Sequence, residues 1–404
     1  MKRNLAVAGA AAAAGVSAVY SLWLWVSSYL GDNFHNDFTF YYAAARLGLA
    51  HGWSHLYDLR LQQEQLDAIS SHITIAQLAR YVSPPPLAWL VMPLTLLPYQ
   101  VAYWLWSALL VGALVLAWHL AAPGSGRARV IFLVAAIGWL PIIYGLQLGQ
   151  PALFVAAGVA ACYALLQRGR DVEAGAVLGV LVLKPQLALL VPVVLLVSGR
   201  WRAFASSVVV LAVITAASVA VLGPSGVTDY VDRLNFATTI AENQAQTLAG
   251  WIHNLQAVRI VQGLIAAWTV GLAYRLRRRG PAVVLAVALI GGLAASPYVH
   301  YDDLAMLGLA CLLFLRAARG RWVIAYAIAL FIAAEGFPVW QAGPVLAAEL
   351  IALALLSIPA LEHHHGYAEK DDAEREHDPG LEGDRQDVTI DGQAQPVDGR
   401  ARET

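Results

Sequence analysis

The chain has 404 residues, of which 59% are apolar and only 13% charged, and its mean hydropathy is +0.60. Soluble proteins carry roughly 25% charged residues. A disordered chain, a nucleic-acid-binding protein and an ordinary soluble enzyme are therefore excluded as descriptions of the whole. The formal net charge of −1 hides an asymmetry: residues 362–404 hold 13 acids and 5 bases, and the remainder 14 acids and 21 bases. Cys162 and Cys311 each sit inside an apolar run and make no disulfide framework.

A run of about 20 apolar residues spans a bilayer as a helix. About a dozen runs, some full length and some short, fall near 5–30, 84–98, 99–122, 129–145, 150–167, 173–183, 185–198, 203–222, 257–274, 281–295, 302–315, 322–336 and 343–360. The expected fold is all-α: a polytopic transmembrane bundle of about 10–13 membrane helices, short and re-entrant half-helices included. Residues 1–361 form this domain and 362–404 an acidic tail whose composition reads as disordered. Residues 1–30 read as a span, since the apolar run is too long for a cleaved signal. The tail residues His363, His364 and His365 read as a solvated tract before they read as a metal site.

Arginines cluster in short loops: Arg127 and Arg129; Arg168 and Arg170; Arg200 and Arg202; Arg275 and Arg277 to Arg279; Arg316, Arg319 and Arg321. The positive-inside rule puts these loops, with Lys2 and Arg3, in the cytoplasm. The count of crossings closes if 84–98 is a half-helix and 173–198 a hairpin of two half-helices around Lys184-Pro185. Both termini then lie inside a cell inner or plasma membrane. Loops 31–83, 146–150, 223–256, 296–301 and 336–342 lie outside, together with the Lys184 tip.

The first outer loop opens with Asn36-Asp37-Phe38 and continues through Tyr41 to Arg46, as expected for an interfacial helix. Asp37 suits a general base, because partial desolvation raises a carboxyl's pKa. It equally suits, with Asn36, a helix N-cap. Ser83-Pro84-Pro85-Pro86 starts a helix at a fixed angle. Gln150, before Pro151, reads as a helix start or as a hydrogen-bonding partner for a polar ligand. Lys184-Pro185-Gln186 is the sharpest signal: a lysine within the membrane marks a functional site, suited to phosphate, unless it snorkels to headgroups. The second long outer loop, 223–256, is rich in amides and aromatics, the usual sugar-contacting set, and includes Arg233, Asn243, His253 and Asn254. His300, Asp302 and Asp303 could hydrogen-bond a substrate, ligate a divalent cation or cap the next helix. No Walker A, dinucleotide or zinc pattern is present.

In order along the chain, these motifs resemble those of the polytopic glycosyltransferases of family 87, within the GT-C superfold. The resemblance rests on Asp37-Phe38-Thr39-Phe40-Tyr41-Tyr42, on Ser83-Pro84-Pro85-Pro86 through Pro98, and on Gly149-Gln150, Ala174-Gly175 and Lys184-Pro185-Gln186. It ends at Ser296-Pro297-Tyr298 through Asp303-Leu304. It implies a polyprenyl-phosphate sugar donor, a glycolipid or polysaccharide acceptor on the outer face, Asp37 as catalytic base and Lys184 near the donor phosphate. Arg46 is expected to assist Lys184. Tyr41, Gln150, Gln186, His253, Asn254, His300, Asp302 and Asp303 are expected to bind substrate. Mannose and arabinofuranose are the sugars such members move; His300, Asp302 and Asp303 depart from the Trp and His residues that some branches carry there. No cofactor is fixed, a divalent cation being possible. The rival readings are a transporter or flippase of a lipid-linked or polar substrate, suggested by the broken helices, and a non-catalytic membrane scaffold.

Overall fold

The computed structural model describes residues 2–70, 81–240, 243, 245–317 and 321–358. Arg319, the acidic tail and its three histidines lie outside the described residues. The protein is 83% helical, with no strand among the described residues, so it is an all-α polytopic bundle.

In chain order the helices are α1 (Lys2–Gly31), α2 (Asp37–His51), α3 (Leu59–Ile69), α4 (Pro85–Val91), α5 (Tyr99–Ala121), α6 (Gly126–Ile137), α7 (Leu140–Leu148), α8 (Ala152–Gln167) and α9 (Asp171–Ala176). There follow α10 (Leu190–Val197), α11 (Trp201–Ala237), α12 (Leu255–Arg275), α13 (Pro281–Ala294), α14 (Ala305–Ala317), α15 (Arg321–Glu335), α16 (Phe337–Trp340) and α17 (Gly343–Ser357). Among the described residues α1, α5, α11 and α12 are long and apolar enough to cross a membrane, and five further apolar helices have 10–17 residues. The outward faces of α1 and α11 present Val16, Val19, Trp23, Val209 and Val213, a surface suited to lipid rather than water.

The short helix α13 shows why length alone does not assign the inner helices. It is hydrophobic all round, and every residue from Ala282 to Ala294 is buried. Such a helix belongs at the centre of a bundle. It packs on α8, α10, α12, α14 and α17.

Three expectations are corrected in detail. The run expected as one span at 129–145 is a pair, α6 and α7, bent by 57°. The bend frees backbone groups that hydrocarbon cannot satisfy. Ser17 and Ser21 of α1 donate to the Gly138 carbonyl at 2.7 and 3.3 Å, and the Glu335 carboxylate accepts from Leu140 N at 2.9 Å. The loop expected at 223–256 is helical through Ala237. Gly223, at φ 63°, turns the chain and Pro224 restarts the helix, so Gly-Pro is a kink rather than a stop. Finally, α2 is not laid on an interface: Phe38 to Ala45, Leu47 and Gly48 are all buried. Its aromatic pattern packs against protein on every side. The two-faced helix is the next one, α3, where Leu61, Gln62, Gln65 and Leu66 turn inward.

The two half-helices around Lys184 are present. A 3₁₀ stretch, Val177–Leu183, leads to the break, and Pro185–Leu187 leaves it. Seven residues is long for a 3₁₀ helix. Close packing holds it there: Gly158 of α8 lies against Val180, and Gly175 of α9 lies against the Ala203 carbonyl of α11.

Candidate functional site

Asn36 caps α2, its side chain accepting from Thr39 N at 3.2 Å. Asp37 is therefore released from capping and occupies the first helical position. Gln150 donates its side-chain amide to the Asp37 carboxylate. The Gln150 carbonyl in turn accepts from the Tyr41 hydroxyl at 3.3 Å. Gln150 is aimed by the turn between α7 and α8. Gly149 has φ 74°, a left-handed conformation, and a Cβ there would meet Phe38 Cβ at 2.8 Å. The Gly149 carbonyl is pinned by the indole N–H of Trp106 at 2.8 Å. The glycine is thus required twice, by φ and by the approach of α2.

Asp37 is half-buried and lines a cavity of about 540 Å³. Burial pushes its pKa up to about 6, and the nearby Asp302 charge adds to this; Lys184 and the Gln150 hydrogen bond pull the other way.

Lys184 lies at the break between the two half-helices and is itself buried. Its ammonium bonds Asp302 Oδ2 at 2.8 Å and also bonds Asp303 Oδ1. Both aspartates are fully buried. Asp303 Oδ2 accepts from His300 N at 2.9 Å and so fixes the turn Tyr301–Leu304 at the head of α14. One lysine meeting two carboxylates leaves a negative balance, with Asp37 close by. The sequence led us to expect a lysine available to phosphate; in the structure its charge is paired with two carboxylates within the protein. Among the described residues no group of three or more His, Cys, Asp or Glu side chains is placed to hold a metal.

The cavity brings together Asp37, Tyr41, Gln150, Lys184, Gln186 and His300. His300 Nε2 lies 2.9 Å from Asn243 Oδ1, and the ring stacks on Tyr298 at 4.7 Å. Burial holds the imidazole below its ordinary pKa. Asp302 and Asp303 stand behind this wall, reaching it through Lys184.

Three expected residues are elsewhere. Arg46 is half-buried beside Tyr42, away from the cavity wall. Asn254 caps α12, accepting from Ala257 N at 3.0 Å, and its neighbour His253 is exposed. Neither lines the cavity. Two cations also line it: Arg233, which the sequence offered among the polar residues of 223–256 and which lies on the part of α11 beyond its kink, and Arg259, which the sequence did not single out, in the second turn of α12. Arg233 also lies over the Phe236 ring, 5.1 Å from its centroid. Arg259 carried a readable signal, a lone base near the end of an apolar helix.

No curated protein and no solved structure matches the chain. The sequence model of glycosyltransferase family 87 matches residues 81–297, which include Gln150, Lys184, Gln186, Arg233 and Arg259 but neither Asp37 nor the Asp302–Asp303 pair. The match covers more than half of the chain, and the chain belongs to glycosyltransferase family 87, a membrane glycosyltransferase.

Proposed function

We propose that the chain transfers a sugar, mannose- or arabinofuranose-like, from a polyprenyl-phosphate donor to a hydroxyl of a glycolipid or polysaccharide on the outer face of the membrane. Asp37 is the general base. It takes the proton of the acceptor hydroxyl as that oxygen attacks the anomeric carbon. The bond from the anomeric carbon to the phosphate oxygen breaks, and polyprenyl phosphate leaves with the electron pair. A single displacement of this kind inverts the anomeric centre.

The observation that carries the reading is the pairing of opposite groups on one cavity. An aspartate with a raised pKa and a fixed amide partner faces the same space as Arg233 and Arg259. A base needs a pKa near working pH, and a departing phosphate needs cations that no carboxylate already occupies. Lys184 then acts through Asp302 and Asp303, as the post that holds Pro185 and His300 in place. Family membership favours transfer over the transport reading.

Steady-state kinetics with varied donor test the phosphate assignment. Removing a hydrogen bond to a charged group costs about 1.5–3 kcal/mol. Arg233→Gln and Arg259→Gln should each weaken the enzyme toward donor roughly ten- to hundredfold, while Arg46→Gln should leave it unchanged. Donor dependence unaltered by both cavity substitutions would refute the assignment.

A further inference from the structure

A second cavity, of about 510 Å³, lies away from the site just described. Its wall carries Arg129, Arg168, Arg279, Arg316 and His119, and no carboxylate among the described residues lines it. Its place in the fold is defined by four helices it shares with the first site. Tyr103 and Trp106 on α5 pack near Gln150, and His119 is at the other end. Gln150 precedes α8, and Arg168 follows it. Tyr298 follows α13, and Gly280 precedes it. Asp303 precedes α14, and Arg316 lies in its last turn. The sixteen residues of α8 set the two cavities about 24 Å apart along the axis.

Four arginines from four separate stretches of the chain, each at or beside a helix end, therefore converge on one concavity. Arg129 and Arg316 also have structural work. Arg129 donates to the His119 carbonyl at 2.5 Å, and Arg316 donates to the Ala122 carbonyl at 3.1 Å, so both close the C-terminal end of α5. That work leaves donors over. A guanidinium has five N–H groups, and the Nε of Arg129 is buried without a hydrogen-bond partner. Buried polar groups of this kind are almost always satisfied. A concave site with several cations, a surplus of donors and no lining acid is suited to a phosphate-type oxyanion. Its place at the helix ends is headgroup depth, on the face that the positive-inside rule assigns to the cytoplasm.

We propose that this cavity is a binding site for the phosphate headgroup of an anionic phospholipid in the cytoplasmic leaflet, held chiefly by Arg129 and Arg316 with Arg168 and Arg279 at the rim. The site is separate from sugar transfer, and its test does not depend on activity. Full-length protein would be reconstituted in nanodiscs of phosphatidylcholine, with or without phosphatidylglycerol. Thermal stability and the lipid retained in native mass spectrometry are the readouts. Wild type should melt higher with phosphatidylglycerol and should retain it selectively. A juxtamembrane arginine contributes about 1 kcal/mol toward anionic lipid, or roughly fivefold in affinity. The pair Arg129→Gln with Arg316→Gln should therefore lose retention roughly 25-fold. Because those two also close α5, the exposed pair Arg168→Gln with Arg279→Gln serves as a second variant with the same expected direction. Arg127→Gln, exposed and off the cavity wall, should behave as wild type. Retention unchanged in both paired variants would overturn the proposal. So would inorganic phosphate, added to phosphatidylcholine discs, raising the melting temperature as much as phosphatidylglycerol does.

Discussion

At the scale of single residues, the proposed transfer depends on Asp37 and the groups that set its charge. Its pKa is raised to about 6 chiefly by burial. The sign of the pH effect follows. The base must be ionised to take a proton, so transfer should fall away below about pH 6, along a single ionisation, in a pH–rate profile. The same raised pKa means that ionised Asp37 weakens the folded state as pH rises through 6. Asp37→Asn removes that burden, so it should cut the rate by roughly 10²–10⁴-fold with no loss of thermal stability at neutral pH. Lys184 should behave in the opposite way. Lys184→Met strands two fully buried carboxylates, and breaking such a pair costs about 3–5 kcal/mol. A large drop in melting temperature is expected; unchanged stability with a donor-binding defect alone would instead restore the lysine to the phosphate. Asp37, Lys184 and His300 stood out in the sequence as ionisable groups beside apolar runs, and the structure brings them to one cavity. Arg46, His253 and Asn254 were misplaced for a plain reason. Polar residues in an outer loop all look alike until the helices fix which way each one points, and Asn254 was already spent on capping α12.

At the scale of elements, the glycines decide where helices can meet. A Cβ on Gly175 would lie 2.0 Å from the Ala203 carbonyl oxygen, a backbone atom that cannot swing aside. Gly175→Ala should therefore separate α9 from α11 and destabilise the protein by about 1–3 kcal/mol, the usual cost of overpacking. Differential scanning measurements on the reconstituted protein would register it, and a neutral result would mean that these helices are not packed as described. The sequence marked most of these elements, since apolar runs and Pro or Gly punctuation fall close to the observed limits. It did not distinguish a kink from a stop. Gly223-Pro224 carries the same local signal in both cases; in the structure the chain stays helical to Ala237, with Gly226 close against the Ser54 carbonyl. The bend between α6 and α7 was hidden likewise, because Ser17, Ser21 and Glu335, which satisfy it, come from distant parts of the chain.

At the scale of the whole molecule, a helix buried on every side organises a bundle with two unlike ends. At one end α13 leads to Tyr298 and His300 and the cavity that holds Asp37; at the other it starts beside the arginines. This polarity suits a polytopic membrane protein, whose two ends meet different headgroup layers. The most direct test is a transfer assay with purified full-length protein in lipid. It would use a panel of polyprenyl-phosphate sugars and measure release of polyprenyl phosphate by wild type and by Asp37→Asn. The account predicts release by wild type from one donor class, and donor binding without release by Asp37→Asn. Release at the wild-type rate by a folded Asp37→Asn protein would contradict it.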